Sequence, residues 1–257
     1  MKTILTPILS LCLIAITYSQ GPPITVNTPV MLGLGGSGIR IIGKFISKEN
    51  STIYVNTIGI PYNISPKFQV GGLIPFKFIN PKGTDYSSGF SDLSLFAKYQ
   101  LYKKDETAKT FRILTHLKQS VPTGKTNSTP PIGTGFYQTY LGLIIGSIST
   151  KTGIYGDVGY QFSGNHSTDI ITYNSSIGVP LFPITYPQNQ LNTYLELNGE
   201  YIIDTKSHIL SISPGLQFIP GKRILFETSF QLPITQRKIK SEKTNYSLLL
   251  GTRILLN

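Results

Sequence analysis

Two long alternating runs between residues 89 and 122 constrain this chain more than any other feature. In GFSDLSLFAKYQLY, Leu93, Leu95, Tyr99 and Leu101 share one parity, and Ser94, Lys98 and Gln100 share the other. After a polar connection, Phe111, Ile113, Thr115 and Leu117 alternate with Arg112, His116 and Lys118. A period of two is that of an extended strand with one greasy and one polar face. Each run spans roughly 11–15 residues, whereas strands of soluble sheets average about 5–6. Joined by a short polar link, they predict an antiparallel hairpin. Full charges on the concealed face of strands this long indicate a barrel whose outer wall meets lipid. In a soluble sandwich, the alternative, the charged parity would face bulk water.

The pattern recurs along the chain. Strands are expected over 38–47, 51–60, 66–79, 89–103, 108–122, 133–149, 151–164, 167–181, 189–204, 207–219, 222–234 and 244–256. The fold class is therefore all-β: a transmembrane antiparallel up-and-down β-barrel of about 12 strands, with ten or fourteen as the adjacent even solutions. Charged residues make up only 14% of the chain, against about 25% in ordinary soluble domains. Tryptophan is absent, so the 15 tyrosines and 13 phenylalanines must supply any interfacial girdles. The longer connections near 80–88, 123–133 and 235–245 belong outside the cell, and the short ones at 150–152 and 220–222 belong in the periplasm. The 178–190 stretch is long for an inner connection.

Residues 1–19 read as a signal peptide. Lys2 supplies a positive start, Ile4 to Ile16 an apolar centre, and Thr17-Tyr18-Ser19 a cleavage site before Gln20. Cys12, the only cysteine, lies within this leader, so the mature chain has no thiol chemistry or disulfide. Residues 20–37, rich in Pro and Gly, are expected to form an N-terminal arm or plug, and residues 38–257 the outer-membrane barrel. Gly33 to Gly38 formally match a dinucleotide-binding glycine loop, but isoleucines follow where a helix is required. Removing Lys2 changes the net charge of +11 to +10. Export excludes nucleic acid as the partner for this charge and leaves lipopolysaccharide or an anionic solute.

The inward parity carries a basic arc of Arg40, Lys44, Lys77, Lys98, Arg112, Lys118 and Arg253. An acidic arc of Asp157, Glu196, Glu200 and Glu227 is expected opposite, with Asp92 the exception to the segregation. Such a transverse field orients a charged solute in a narrow lumen. Alternatively the charges pair across the lumen and close it. His116 shares the inward face with Arg112 and Lys118, while His166 and His208 fall in expected outer loops. No second His or Cys stands at ligand spacing, so neither metal nor cofactor is expected. No nucleophile elbow or phosphate loop is present, so no catalytic residues are assigned and the chain is not expected to be an enzyme. Six Asn-x-Ser/Thr matches, from Asn50 to Asn245, are those expected by chance in so polar a chain.

Several blocks together resemble the bacterial outer-membrane transporter family named for the meta-pathway of phenol degradation. They are Ile60-Pro61-Tyr62 leading into Pro66 to Pro75, Gly89-Phe90-Ser91-Asp92-Leu93 with Lys98-Tyr99, Val121-Pro122-Thr123-Gly124, Gly133-Thr134-Gly135, Ser213-Pro214-Gly215-Leu216 and Tyr246 to Gly251. The resemblance implies a porin-like barrel in the outer membrane of a Gram-negative cell envelope, inserted by the barrel-assembly machinery and passing small molecules. It supplies no binding residues. Such barrels commonly end in an aromatic residue, whereas this chain ends Leu255-Leu256-Asn257, which puts efficient insertion in doubt.

The expectation is an outer-membrane channel or transporter for passive passage of a small solute, hydrophobic or charged. The rival is a closed structural barrel whose basic outer loops bind lipopolysaccharide or an external ligand. An outer-membrane lipid hydrolase is a third class, with His116 as its only candidate base.

Overall fold

Alternation over this many residues forces neighbouring runs to pair edge to edge, and in the computed structural model they do so until the sheet closes on itself. The structure describes residues 21–83, 85–164, 168–182, 189–221, 223–237 and 243–256. The strands are β1 (Gly38–Lys48), β2 (Ser51–Ser65), β3 (Phe68–Pro81), β4 (Ser87–Phe90), β5 (Leu93–Glu106), β6 (Lys109–Val121) and β7 (Gln138–Ser149). They continue with β8 (Gly153–Ser163), β9 (Ile170–Pro180), β10 (Asn189–Ile202), β11 (Ser207–Pro220), β12 (Ile224–Arg237) and β13 (Thr244–Leu255). The expected leader, Cys12 and His166 lie outside the described residues.

Each strand pairs antiparallel with its sequence neighbour, and β1 pairs with β13 to close the barrel, with Arg40 opposite Arg253. Both β4 and β5 pair with β3, so together they fill one position and the wall has twelve staves. The sequence reading treats this position as one strand. It is interrupted because Pro75, on the facing strand, has no N–H to offer. The Ser91 amide still donates to the Pro75 carbonyl at 2.8 Å, and Asp92 turns away from the ladder.

The closed wall is inverted relative to a soluble protein. Leu95, Leu143, Ile154 and Leu250 project outward and are at least half exposed, whereas Ser213, Gln217, Asn192 and Glu196 on the inner face are fully buried. In hydrocarbon every backbone polar group must be satisfied within the wall, so closure satisfies what an open edge would leave unpaired. Inward glycines keep the lumen passable for larger side chains. A Cβ on Gly159 would fall 2.2 Å from the Tyr140 ring. Among the described residues the apolar core lies inside the barrel, where Ile24 and Val26 pack with Tyr155, Tyr194 and Leu249, and Met31 packs with Leu114 and Ile144. The first partners of both clusters come from residues preceding β1.

Val158 sits at the middle of β8 on the lipid face. Val158→Arg is expected to destabilise the barrel in bilayers by ~2–4 kcal/mol, read from guanidinium unfolding in vesicles. An unchanged midpoint would mean that this face does not contact hydrocarbon.

Candidate functional site

Residues 21–31 run inside the lumen, where the inner wall grips them from opposite sides, and Gly35 and Gly36 pair with Asn63 at the end of β2. On the acidic side, the Ile24 and Thr25 amides donate to the Glu196 carboxylate at 2.9 and 2.7 Å, joined by the Thr25 hydroxyl and by Ser176 Oγ at 3.0 Å. The Asn27 amide donates to Asp157 at 2.9 Å, and Asn174 steadies the other Asp157 oxygen. On the basic side, Arg40 Nη2 donates to the Ile24 carbonyl at 2.5 Å, and Arg253 Nη2 to the Pro23 carbonyl at 2.6 Å. Tyr155 and Tyr194 both donate to the Gly21 carbonyl, and Gln217 Nε2 donates to Pro22. The N–H groups of Ile24, Thr25 and Asn27 thus meet carboxylates, and the C=O groups of Pro23 and Ile24 meet guanidinium ions. These are charge-assisted bonds, roughly twice as strong as neutral ones.

Glu227 stands at the edge of the basic arc, not across the lumen from it as the sequence reading has it. It accepts from Arg40 at 2.6 Å and from Arg253 at 2.8 Å, and its side chain is fully buried. The reason is topological: β12 adjoins β13, which adjoins β1. One carboxylate neutralises two guanidinium groups, each of which also holds the arm.

The remaining expected lumen residues occupy the inward parity of their strands. Lys98 is cross-strand from His116, and both are buried. His116 packs edge-on against Phe96 and Tyr140, and Lys118 Nζ lies 5.4 Å from the centre of the Tyr140 ring, a cation–π contact. Among the described residues neither Lys98 nor Lys118 forms an ion pair with a carboxylate. Arg112 donates to Thr110, and Lys44 and Glu200 share the far half of the lumen. His208 is not a loop residue. It lies in β11, opposite Arg237, and its ring stacks on Tyr173. Among the described residues no group of three or more His, Cys, Asp or Glu side chains is placed to hold a metal.

Asp92 and Lys77 do something else. The loop joining β6 to β7 folds back onto the rim. There Asp92 Oδ1 accepts from the Gly124 amide at 2.9 Å, and Oδ2 accepts from the Thr134 amide and hydroxyl, both at 2.7 Å. The Ile132 carbonyl accepts from Ser91 Oγ at 2.8 Å and from Lys77 Nζ at 3.4 Å. Gly124 and Gly133 pack backbone to backbone, since a Cβ on either would fall within 2.7 Å of the other. Burial pushes the Asp92 carboxyl up, but the Thr134 and Gly124 hydrogen bonds and the Lys77 charge outweigh it, holding the group below its ordinary value.

Sequence reasoning missed the arm's carboxylate grip and the Asp92 latch. Asp92 carried a usable signal, since it is an acid on the basic side of the wall. The arm carried none, because its backbone rather than its side chains makes most of the contacts.

The family model described as "Putative MetA-pathway of phenol degradation" matches residues 41–245. An outer-membrane channel from Pseudomonas putida F1 superposes with a TM-score of 0.69 at 13% identity, covering 92% of this chain and 100% of that one. The β domain of the Bordetella autotransporter BrkA gives 0.53 at 13% identity, over 86% and 99% of the two chains. The NanC porin gives 0.52 at 10% identity, over 84% and 98%. No curated protein matches the chain. At these identities the likeness is one of fold, and the fold is that of bacterial outer-membrane barrels.

Two outcomes are expected from the latch. Asp92→Ala removes charge-assisted bonds worth about 1.5–3 kcal/mol, so the Gly124 and Thr134 amides should exchange hydrogen roughly 10–100-fold faster. Because the folded pKa is depressed, latch stability is fully present above the ordinary Asp value of about 3.9 and is lost as pH falls through the lower folded value. Loop protection in the unaltered protein should therefore persist at pH 5 and fade only in stronger acid. Fading at near-neutral pH would show that another group holds the loop.

Proposed function

The chain belongs to this phenol-degradation pathway family of outer-membrane barrels, and on that premise we propose that it is a passive, non-enzymatic channel for a small solute, with its axial route governed by the arm. The observation that carries this reading is the buried, charge-lined lumen whose carboxylates and arginines hold the segment preceding β1 by its backbone. A structural barrel would fill its interior with its own side chains. Here much of the filling comes from the segment preceding β1, whose hydrogen bonds to the wall are contacts that water or solute can replace.

The solute class follows from the surplus of cations. Glu227 is shared by two arginines, Glu196 and Asp157 are spent on the arm, and Lys98 and Lys118 remain beside the Tyr140 and His116 rings. A weakly anionic or aromatic molecule suits that face, through charge and through ring contacts. The basic and acidic arcs act together as the selectivity element. Lipopolysaccharide outside and the assembly machinery during insertion are the partners such a barrel requires.

A closed structural barrel is the second reading, and the arm itself favours it, because the arm occupies the lumen from mid-height to the end where β1 begins. Planar-bilayer recordings separate the two. The intact protein should give small discrete steps, and removal of residues 21–34 should enlarge them several-fold. Glu196→Gln with Asp157→Asn should do the same more weakly, should the truncated chain insert poorly. Silence from all of these would leave only the structural barrel. Lys98→Glu or Arg112→Glu should shift the reversal potential toward cations, and an unshifted potential would remove the basic arc from selectivity.

A further inference from the structure

One side-chain amide stands on the lipid side of the wall at its mid-height. Along β2 the outward parity reads Tyr54, Asn56, Ile58 and Ile60, and the three apolar members are exposed. Asn56 lies opposite Gly43, the midpoint of β1, so its amide sits at the depth of the hydrocarbon. Among the described residues its side chain makes one hydrogen bond, from Nδ2 to the Tyr54 hydroxyl at 3.3 Å. The second N–H and the carbonyl oxygen are left to the surroundings. Lipid tails offer neither donors nor acceptors at that depth, and a polar group left unmatched there is costly. The occupant that answers Asn56 is therefore a protein.

The wall around Asn56 has relief of two kinds. On its β1 side lies a groove of about 580 Å³, lined by Ile41, Gly43, Phe226 and Leu250 among others. Gly43 opens it. The Tyr54 hydroxyl leans over that position, 2.8 Å from where a Cβ would stand. On the β3 side lies a ridge. Phe76 is the cross-strand partner of Asn56, and its ring meets Phe90 edge-on, with centroids 5.5 Å apart. Both rings project outward.

A primary amide is donor and acceptor at once, so an identical amide across a twofold axis satisfies it. Two copies inserted in the same sense share an axis along the membrane normal. Rotation about such an axis beside Asn56 carries the ridge of each copy to the groove side of the other. We infer that the face formed by β13, β1, β2 and β3 is the contact between two copies of this chain, with paired Asn56 amides at its centre and the Phe76 ridge of each copy turned to the groove of the other. Close packing and polar contacts are what drive association in lipid, since the tails are as apolar as the side chains they cover. This contact is independent of what the lumen conducts.

The test reads proximity and then affinity, in the full chain carrying Cys12→Ser. Asn56→Cys places a thiol beside the axis, and Ile177→Cys places one on the lipid face of β9, six wall positions away. After oxidation with copper–phenanthroline in outer membranes, most of the Asn56→Cys protein should run at twice the chain's mass on a non-reducing gel. Ile177→Cys should stay at the monomer mass. Heat-modifiable gel mobility shows that each variant has folded. Subunit counting by photobleaching in bilayers should find pairs of the otherwise unaltered protein, and Asn56→Leu should raise their dissociation constant at least tenfold. Equal cross-linking at the two positions, single copies of the unaltered protein at every density, or undiminished pairing in Asn56→Leu overturns the inference. A cross-linked product at any mass other than twice the chain's makes the occupant another protein and overturns it too.

Discussion

Hydrocarbon offers no hydrogen bonds, and that single fact dictates this architecture. Each backbone N–H and C=O within the membrane must find a partner in the wall, so the strands lengthen, pair with their sequence neighbours and close through β1 and β13. Closure turns the fold inside out. Leucines and isoleucines face outward without penalty, and the polar parity is confined with nowhere to be solvated except a narrow interior. What happens in that interior is then a matter of electrostatics as well as of packing.

A confined interior makes each charge expensive unless it is matched. Glu227 matches two guanidinium groups, and breaking such a buried set typically costs about 3–5 kcal/mol. Glu196, Asp157 and the same two arginines find their match in the arm's peptide groups, which carry a donor and an acceptor at every non-proline residue. The arm is therefore both a steric obstacle and the counterpart of the wall's transverse field. Beside these bonds, Ile24, Val26 and Met31 pack against wall residues such as Tyr155, Tyr194 and Leu114, so apolar contact adds to the polar grip.

The barrel was legible in the sequence because period-two alternation is a local property that survives any register error. The twelve wall positions follow from it, and so does the inward parity of most strands, with Lys98 and Glu196 buried on the inner face. What depends on two distant segments meeting was not legible. The split between β4 and β5 needs Pro75 to lie opposite Ser91, and the latch needs Gly124 and Thr134 to return to Asp92. Glu227 was read as opposite its partners because the arcs were drawn by residue type, whereas strand adjacency decides which charges touch. His208 was assigned to an outer loop, yet it lies in β11 and its ring stacks with Tyr173. The same blocks that carried the family resemblance, around Asp92, Gly124 and Thr134, are those that converge on the latch, so short motifs far apart in the chain describe one contact.

The arm divides the interior by what it leaves unfilled. Residues 24–27 form a polar floor, where Glu196 and Asp157 accept from backbone amides. Above it the wall carries Lys118 beside the Tyr140 ring and Lys98 across from His116. Because the nearest acids are engaged by peptide groups, Lys98 and Lys118 are left without a carboxylate in an ion pair among the described residues. The asymmetry between an acid-held segment at one end and a cationic, ring-lined wall at the other therefore follows from strand order together with one short stretch of chain that precedes β1.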